Sequence, residues 1–222
     1  QVMYEITHGV NITSNLDELL KLIHTSLQKV IYAENCFVAL HDQNTGLFSF
    51  PYFVDKFDPT PMPMAMRKSC TAYVFRTGKP LLLTQELFER LVVQNKVELV
   101  GTNSPSWLGV PLLTPSRTIG VLVLQHYEEE NVYSEQDVEF LDSVGNQIAL
   151  AIERKRAEDE LHRHNQELSV LHTIDRAVNE TLDLDQIFKV AIEKTMEFLG
   201  ADTGTINLLE EDSKTMLLVA HR

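Results

Sequence analysis

The chain has 222 residues, 44% of them hydrophobic and 23% charged, and carries a formal net charge of −13 at pH 7. That is the composition of a soluble globular chain long enough to bury a sizeable core, and its acidity excludes nucleic-acid phosphates or an anionic membrane surface as the main partner. No apolar run approaches the 18 residues of a membrane span, and Cys36 and Cys70, the only cysteines, stand in neither a CxxC nor a Cys/His ligand spacing, which removes a disulfide framework and a structural zinc. With Gln1 first and no leader pattern, the expectation is a cytoplasmic piece of a longer protein.

Asn15 and Glu18 make a capping box, and Leu16, Leu19, Leu20, Ile23, Leu27, Val30 and Ile31 follow at helical spacing. CFVALH (Cys36 to His41) and LFSFPYFV (Leu47 to Val54), joined by DQNTG, predict a hairpin. Pro51 cannot donate to a ladder, so the second strand belongs at a sheet edge. DPTPMPM (Asp58 to Met64) is an extended loop, and the whole of Asp55 to Met66 reads as a mobile lid. A short helix from about Arg67 to Thr77 ends at Gly78, Leu81 to Thr84 is a strand, and Glu86 to Lys96 is a second short helix. SWLGVPLL and TIGVLVLQHY, separated by TPSR, predict another hairpin. From Ser134, an N-cap with Glu135 and Asp137 in the first turn, the pattern is helical for more than forty residues. Its first part is apolar on one side, and Glu153 to Glu167 is almost wholly polar, so this helix must bridge domains or pair with another chain.

The chain also repeats itself. VNITSNLDELLKLI from Val10 returns as VNETLDLDQIFKVA from Val178, and without a gap Val2 pairs with Val170, Ile6 with Ile174, Ala33 with Ala201 and Leu40 with Leu208. Asp183 and Gln186 repeat the capping device. The expected organisation is a first domain over 1–153, a connecting coiled-coil helix over 154–180, and the opening helix and hairpin of a second such domain over 181–222, whose apolar strand face would be sticky or disordered unless covered.

This order of elements, with FPYFVD, TAYVFRTGKPLLL, SWLGVPLL followed by IGVLVLQ, and YSEQDVEFLDSVGNQIALAIERKRAEDEL, resembles the GAF domain over roughly Leu16 to Leu161, most of all the GAF domains of bacterial multi-sensor histidine kinases. The resemblance implies an α+β fold: a central antiparallel sheet with terminal helices on one face and a ligand pocket beneath short helices and loops on the other, followed by a long signalling helix. It implies a non-catalytic sensory module. The ligand, and with it any cofactor, is left unknown. Asn95 and Lys96 are adjacent, but no phenylalanine is followed four residues on by Asp-Glu as in cyclic-nucleotide binders. Cys70 is followed by Thr71 where covalent bilin binders have histidine.

Candidate pocket residues are Phe53, Met64, Cys70, Tyr73 and Trp107, together with His41 and His126 at strand ends, where the alternative is simple hydrogen bonding, and with Met62 and Met66 as cover. The alternative for Phe53, Tyr73, Trp107 and the methionines is ordinary core and loop packing, the favoured reading for Trp107. Both cysteines read first as small buried hydrophobes. A ligand-free dimerisation and relay domain is the rival reading, and a cysteine-based methionine sulfoxide reductase, which a few GAF-like proteins are, ranks below both. Ala157, Leu161, His164, Leu168 and Leu171 step by four, three, four and three, the spacing of a coiled-coil seam, and predict a parallel homodimer with no nucleic acid and no membrane insertion.

Overall fold

The computed structural model describes residues 16–180, 184–210 and 215–222. The chain divides into two compact units, one up to Lys155 and one from Arg156 onward. The capping residues Asn15 and Asp183 lie outside the described residues.

In the first unit, α1 (Leu16–Leu27) precedes β1 (Asn35–His41) and β2 (Phe48–Val54); then come α2 (Cys70–Thr77), β3 (Leu81–Leu83), α3 (Gln85–Val93), β4 (Ser106–Leu113) and β5 (Thr118–His126). The strands form one sheet in the order β2-β1-β5-β4-β3, every pairing antiparallel. Pro51 is on an edge strand as its missing N–H requires, and β2 carries a bulge there, between the partners of Val38 and Leu40. The long helix α4 (Glu135–Glu180) leaves this unit. Ser134 caps it: its Oγ accepts from the Asp137 N–H at 3.3 Å, and Asp137 Oδ2 accepts in return from the Ser134 N–H at 2.8 Å.

The sheet is covered on both faces, which is why CFVAL and GVLVL are unbroken apolar runs rather than alternations. Cys36, Val38, Leu40, Val110, Leu122 and Leu124 pack against α1 (Leu20, Ile23, Leu27) and the start of α4 (Leu141, Val144, Ile148, Ile152). Phe37, Ala39, Trp107, Val121 and Val123 point the other way, toward Val74 of α2, Leu81 and Leu83 of β3 and Leu91 of α3. Two boundaries differ from the sequence expectation. Helix α2 starts at Cys70 because the Ser69 hydroxyl caps it, accepting from Ala72 N–H at 3.0 Å; Gly78 closes it with φ 61°. Thr84, expected as a strand residue, is the N-cap of α3, and Asn95 at φ 55° turns the chain away soon after Val93.

The second unit contains α5 (Leu184–Leu199) and the antiparallel hairpin β6 (Thr205–Glu210) and β7 (Thr215–His221). These repeat the order of α1, β1 and β2 at the 168-residue offset of the sequence repeat. The hairpin is formed, and it leaves Leu208, Leu209, Met216, Leu217 and Leu218 exposed.

Candidate functional site

A cavity of about 320 Å³ lies on the α2/α3 face of the sheet. Its floor is aromatic. Phe37 of β1 sits directly opposite Phe53 of β2 in the ladder, and their rings stack at 5.4 Å. Phe50 stands edge-on to Phe53 at 6.0 Å. In a regular strand Phe50 and Phe53, three residues apart, would face opposite ways; the bulge in β2 brings both to the cavity side. Trp107 of β4 completes the floor, its indole lying across Gly109, and the ends of the two short helices, from Ser69 to Thr71 and from Thr84 to Phe88, supply further wall.

Gln125 of β5 is the buried polar residue of this floor, 9% exposed. Its Nε2 donates to Asp55 Oδ2 at 3.2 Å and to Tyr127 Oη at 3.1 Å, while the Tyr127 hydroxyl donates to the same Asp55 oxygen at 2.7 Å. A carboxylate only accepts, so this network fixes which end of the amide is nitrogen and leaves Oε1 as the uncommitted acceptor. Burial alone would push the Asp55 carboxyl up, but the backbone N–H groups of Asp58 and Phe57, with Tyr127 and Gln125, together hold it below the usual carboxylate range. Burial first, and then the bond to Asp55, pushes the Tyr127 hydroxyl well above its ordinary value.

Two loops close the mouth. One runs from Asp55 to Ser69 and the other from Val97 to Ser104, and Asp58 joins them: its Oδ1 accepts from Thr102 Oγ1 at 2.9 Å and its Oδ2 from Thr102 N–H at 3.0 Å. Met64 is tied to the sheet edge by two backbone bonds with Phe48, of 2.9 and 3.0 Å. The prolines therefore do not deny the whole segment a ladder, and the part free of such bonds is shorter than the expected lid.

Of the residues singled out in the sequence, Phe53, Met64, Cys70 and Trp107 line the cavity, and Met66 joins them. Tyr73, His41 and His126 do not. Tyr73 packs against the core beneath α2, one turn past the helix end that meets the cavity. His41 meets Phe48 edge-on and Phe75 at a tilt, at the far end of β1. His126 follows Gln125 and so points to the opposite face, where it contacts Tyr32 and its Nδ1 accepts from the Glu128 and Glu129 N–H groups. Met62, expected as cover, is 82% exposed and outside the lining. Sequence reasoning missed Phe37, Phe50 and Gln125. The ladder register of Phe37 on Phe53 was the available signal for the first.

Cys70 is half-buried in the wall rather than in the core, and burial pushes its thiol up to about 11. Cys36 is buried under α1 and α4, its thiol pushed up to about 12. Among the described residues no group of three His, Cys, Asp or Glu side chains could hold a metal ion, and no helix is long and apolar enough to cross a membrane.

The sheet order, with α1 and α4 on one face and the covered cavity on the other, coincides with a sequence match to the GAF domain model over residues 13–153. The chain belongs to the GAF domain family. GAF domains are generally sensory or regulatory modules. No curated protein matches the chain in sequence. Solved structures share its fold at low identity. The GAF domain of a phosphoenolpyruvate-protein phosphotransferase from Coxiella burnetii aligns with a TM-score of 0.60 at 19% identity, covering 72% of this chain and 95% of that one. A free methionine-R-sulfoxide reductase from Neisseria meningitidis, in complex with its substrate, aligns at 0.58 and 16%, covering 71% and 89%. Residues 122 to 287 of a methyl-accepting chemotaxis protein align at 0.54 and 17%, covering 68% and 97%. At such identities the likeness is one of fold, and the chemistry of this GAF cavity lies in its own side chains.

Proposed function

We propose that this GAF domain is a sensory module, non-catalytic in itself, of a bacterial cytoplasmic signal-transduction protein such as a sensor histidine kinase: it holds a small molecule in the cavity and passes the occupancy through α4 of a parallel homodimer. The observation that carries the reading is the two-sided use of β4. Trp107 of that strand floors the cavity, while on the other face Gly145 of α4 sits so close that a Cβ there would lie 3.1 Å from both Pro111 O and Val110 Cγ2. Helix backbone rests almost directly on strand backbone at this point. A small displacement of β4 by a ligand is then transmitted to α4 rather than absorbed by long side chains, because packed interiors are stiff.

The placement of the thiols counts against a reductase. A thiolate nucleophile and a resolving thiol must reach one another, and the nucleophile must ionise. Here Cys36 and Cys70 belong to the clusters on opposite faces of the sheet, and burial disfavours both thiolates.

Native mass spectrometry of the purified chain, alone and after incubation with a bacterial metabolite extract, tests the proposal. A retained small mass that is lost on Phe53→Ala is the expected result. Its repeated absence would overturn ligand sensing and favour the ligand-free relay.

A further inference from the structure

If the domain senses a small molecule, as proposed, the lining of the cavity specifies the chemical class of that molecule. The floor presents the faces and edges of Phe37, Phe50, Phe53 and Trp107. Aromatic faces carry negative charge density and attract cations. The charged side chains among the lining residues are Asp58 and Glu98, both carboxylates; among the described residues no lysine or arginine lines the cavity. Glu98 is exposed at the rim and has no ion-pair partner among the described residues. Behind the floor stands a third carboxylate, Asp55, which Gln125 reaches. Gln125 itself offers the cavity an acceptor, since both hydrogens of its amide are engaged.

The ends of α2 and α3 contribute the opposite sign, about half an elementary charge for a full helix terminus. These helices have eight and nine residues, and the hydroxyls of their N-caps, Ser69 and Thr84, already accept from Ala72 and Leu87 of their own helices. Whole negative charges therefore outweigh partial positive ones. An anion such as a nucleotide or a dicarboxylate would meet two carboxylates and five aromatic rings with no side-chain cation in the lining to pair with, and would lose its hydration uncompensated.

We infer that the cavity takes an organic cation: an apolar, preferably aromatic body seated on the phenylalanine and tryptophan floor, with a protonated amine whose N–H groups face the acceptors of Gln125, Asp58 and Glu98. The cavity volume suits a molecule of one or two rings.

Trp107 is the only tryptophan of the chain and forms part of the wall, so its fluorescence reports occupancy directly. Three probes with one frame and different charge are titrated at pH 7 and low salt: 2-phenylethylamine, 2-phenylethanol and 3-phenylpropanoate. The amine is expected to bind about tenfold tighter than the alcohol, the factor that corresponds to ~1.4 kcal/mol, and the anion weakest of the three. Glu98→Gln, at an exposed position, is expected to lower amine affinity several-fold and leave the alcohol unchanged. An alcohol or anion that binds as tightly as the amine, or an amine affinity indifferent to Glu98→Gln, overturns the charge assignment while leaving a ligand pocket in place. Failure of all three probes to perturb Trp107 at millimolar concentration overturns the assignment of this ligand class, and a small mass still retained in native mass spectrometry then leaves ligand sensing standing.

Discussion

The indole of Trp107 lies over Gly109, two residues on along the same strand face, so closely that a Cβ at 109 would fall 2.2 Å from Cη2. The glycine is thus the seat of the ring, and the ring is the floor of the cavity. Gly109→Ala should lift the indole, costing about 1–3 kcal/mol of stability by overpacking and moving the Trp107 emission, with β4 pairing retained. Denaturant unfolding and fluorescence of the variant check this. An unchanged emission maximum together with wild-type stability would show that the ring has another place to go.

The sequence carried the sheet well and the cavity in part. Strand runs, the edge position of Pro51, the Gly78 cap and the long helix from Ser134 all follow from local chemistry: a missing N–H, a φ of 61°, a hydroxyl at an N-cap. Which side of a strand meets the cavity is a different question when both sides are apolar. His126 and Gln125 are neighbours, and polarity alone favoured the histidine; only the pairing of β5 with β1 and β4 puts Gln125 on the cavity face. Phe50 was hidden by the bulge, which shifts the alternation by one residue in a way that no periodicity reveals.

Asp58 and Met64 divide the proline-rich segment. With Asp58 held by Thr102 and Met64 by Phe48, the stretch between them has the fewest anchors. Hydrogen exchange should find the amides of Thr60 and Met62 among the fastest of the first unit, and the Met64 amide, which donates to Phe48 O, far slower. Thr102→Val removes the hydroxyl bond and should speed exchange at Asp58 and Thr102 without touching Val121 to Leu124. Equal protection of Thr60 and Val123 in the unliganded protein would refute a mobile lid.

The two cysteines should behave differently. Cys36 is buried and its thiol is pushed up to about 12, so a bulky thiol reagent at about pH 7.5 should leave it unlabelled until the protein unfolds. Cys70, half-buried in the cavity wall with its thiol pushed up to about 11, should label slowly, and a molecule seated in the cavity should slow it further. Mass spectrometry of the native protein gives both rates. Rapid modification of both thiols would instead revive a redox role.

Asp55 sets an acid limb of stability. Its folded-state carboxyl is held below the value of about 3.9 expected in the unfolded chain. A depressed carboxyl contributes fully above the unfolded value, and the contribution fades as the pH falls through the lower, folded one. Asp55→Asn keeps the shape but not the charge, so the difference in melting temperature between wild type and variant should be largest above about pH 5 and shrink toward about pH 3, near and below the unfolded carboxyl's range. A difference constant across that whole span would mean that the bonds to Tyr127 and Gln125 matter for shape alone.

Along α4, Ala157, Leu161, His164, Leu168 and Leu171 are all exposed, the three leucines by 61%, 50% and 58%. Leu150, seven residues before Ala157 and so in the same heptad phase, is exposed as well. On this helix surface Arg163 pairs with Glu167 at 3.7 Å and His162 with Gln166 at 3.0 Å, and Glu167 also lies 3.6 Å from His164 of the stripe. Gln166, Ser169 and Thr173 instead border a hollow whose other side is Lys194, Glu197 and Phe198 of α5, so that face of α4 is already turned to its own chain. A narrow stripe of leucines at three- and four-residue spacing, left in water, is what a parallel partner would cover, and His164 on it would sit opposite its own copy and fix the register. Single cysteines at Leu161→Cys or Leu168→Cys, in a background without Cys36 and Cys70, should form symmetric disulfides, because facing seam positions bring the two α-carbons within about 7 Å. Arg163→Cys and Gln166→Cys should cross-link poorly. Sedimentation of the unmodified chain should show a dimer. Equal cross-linking at all four positions, or a monomer at high concentration, would show that the stripe is only a solvated helix face.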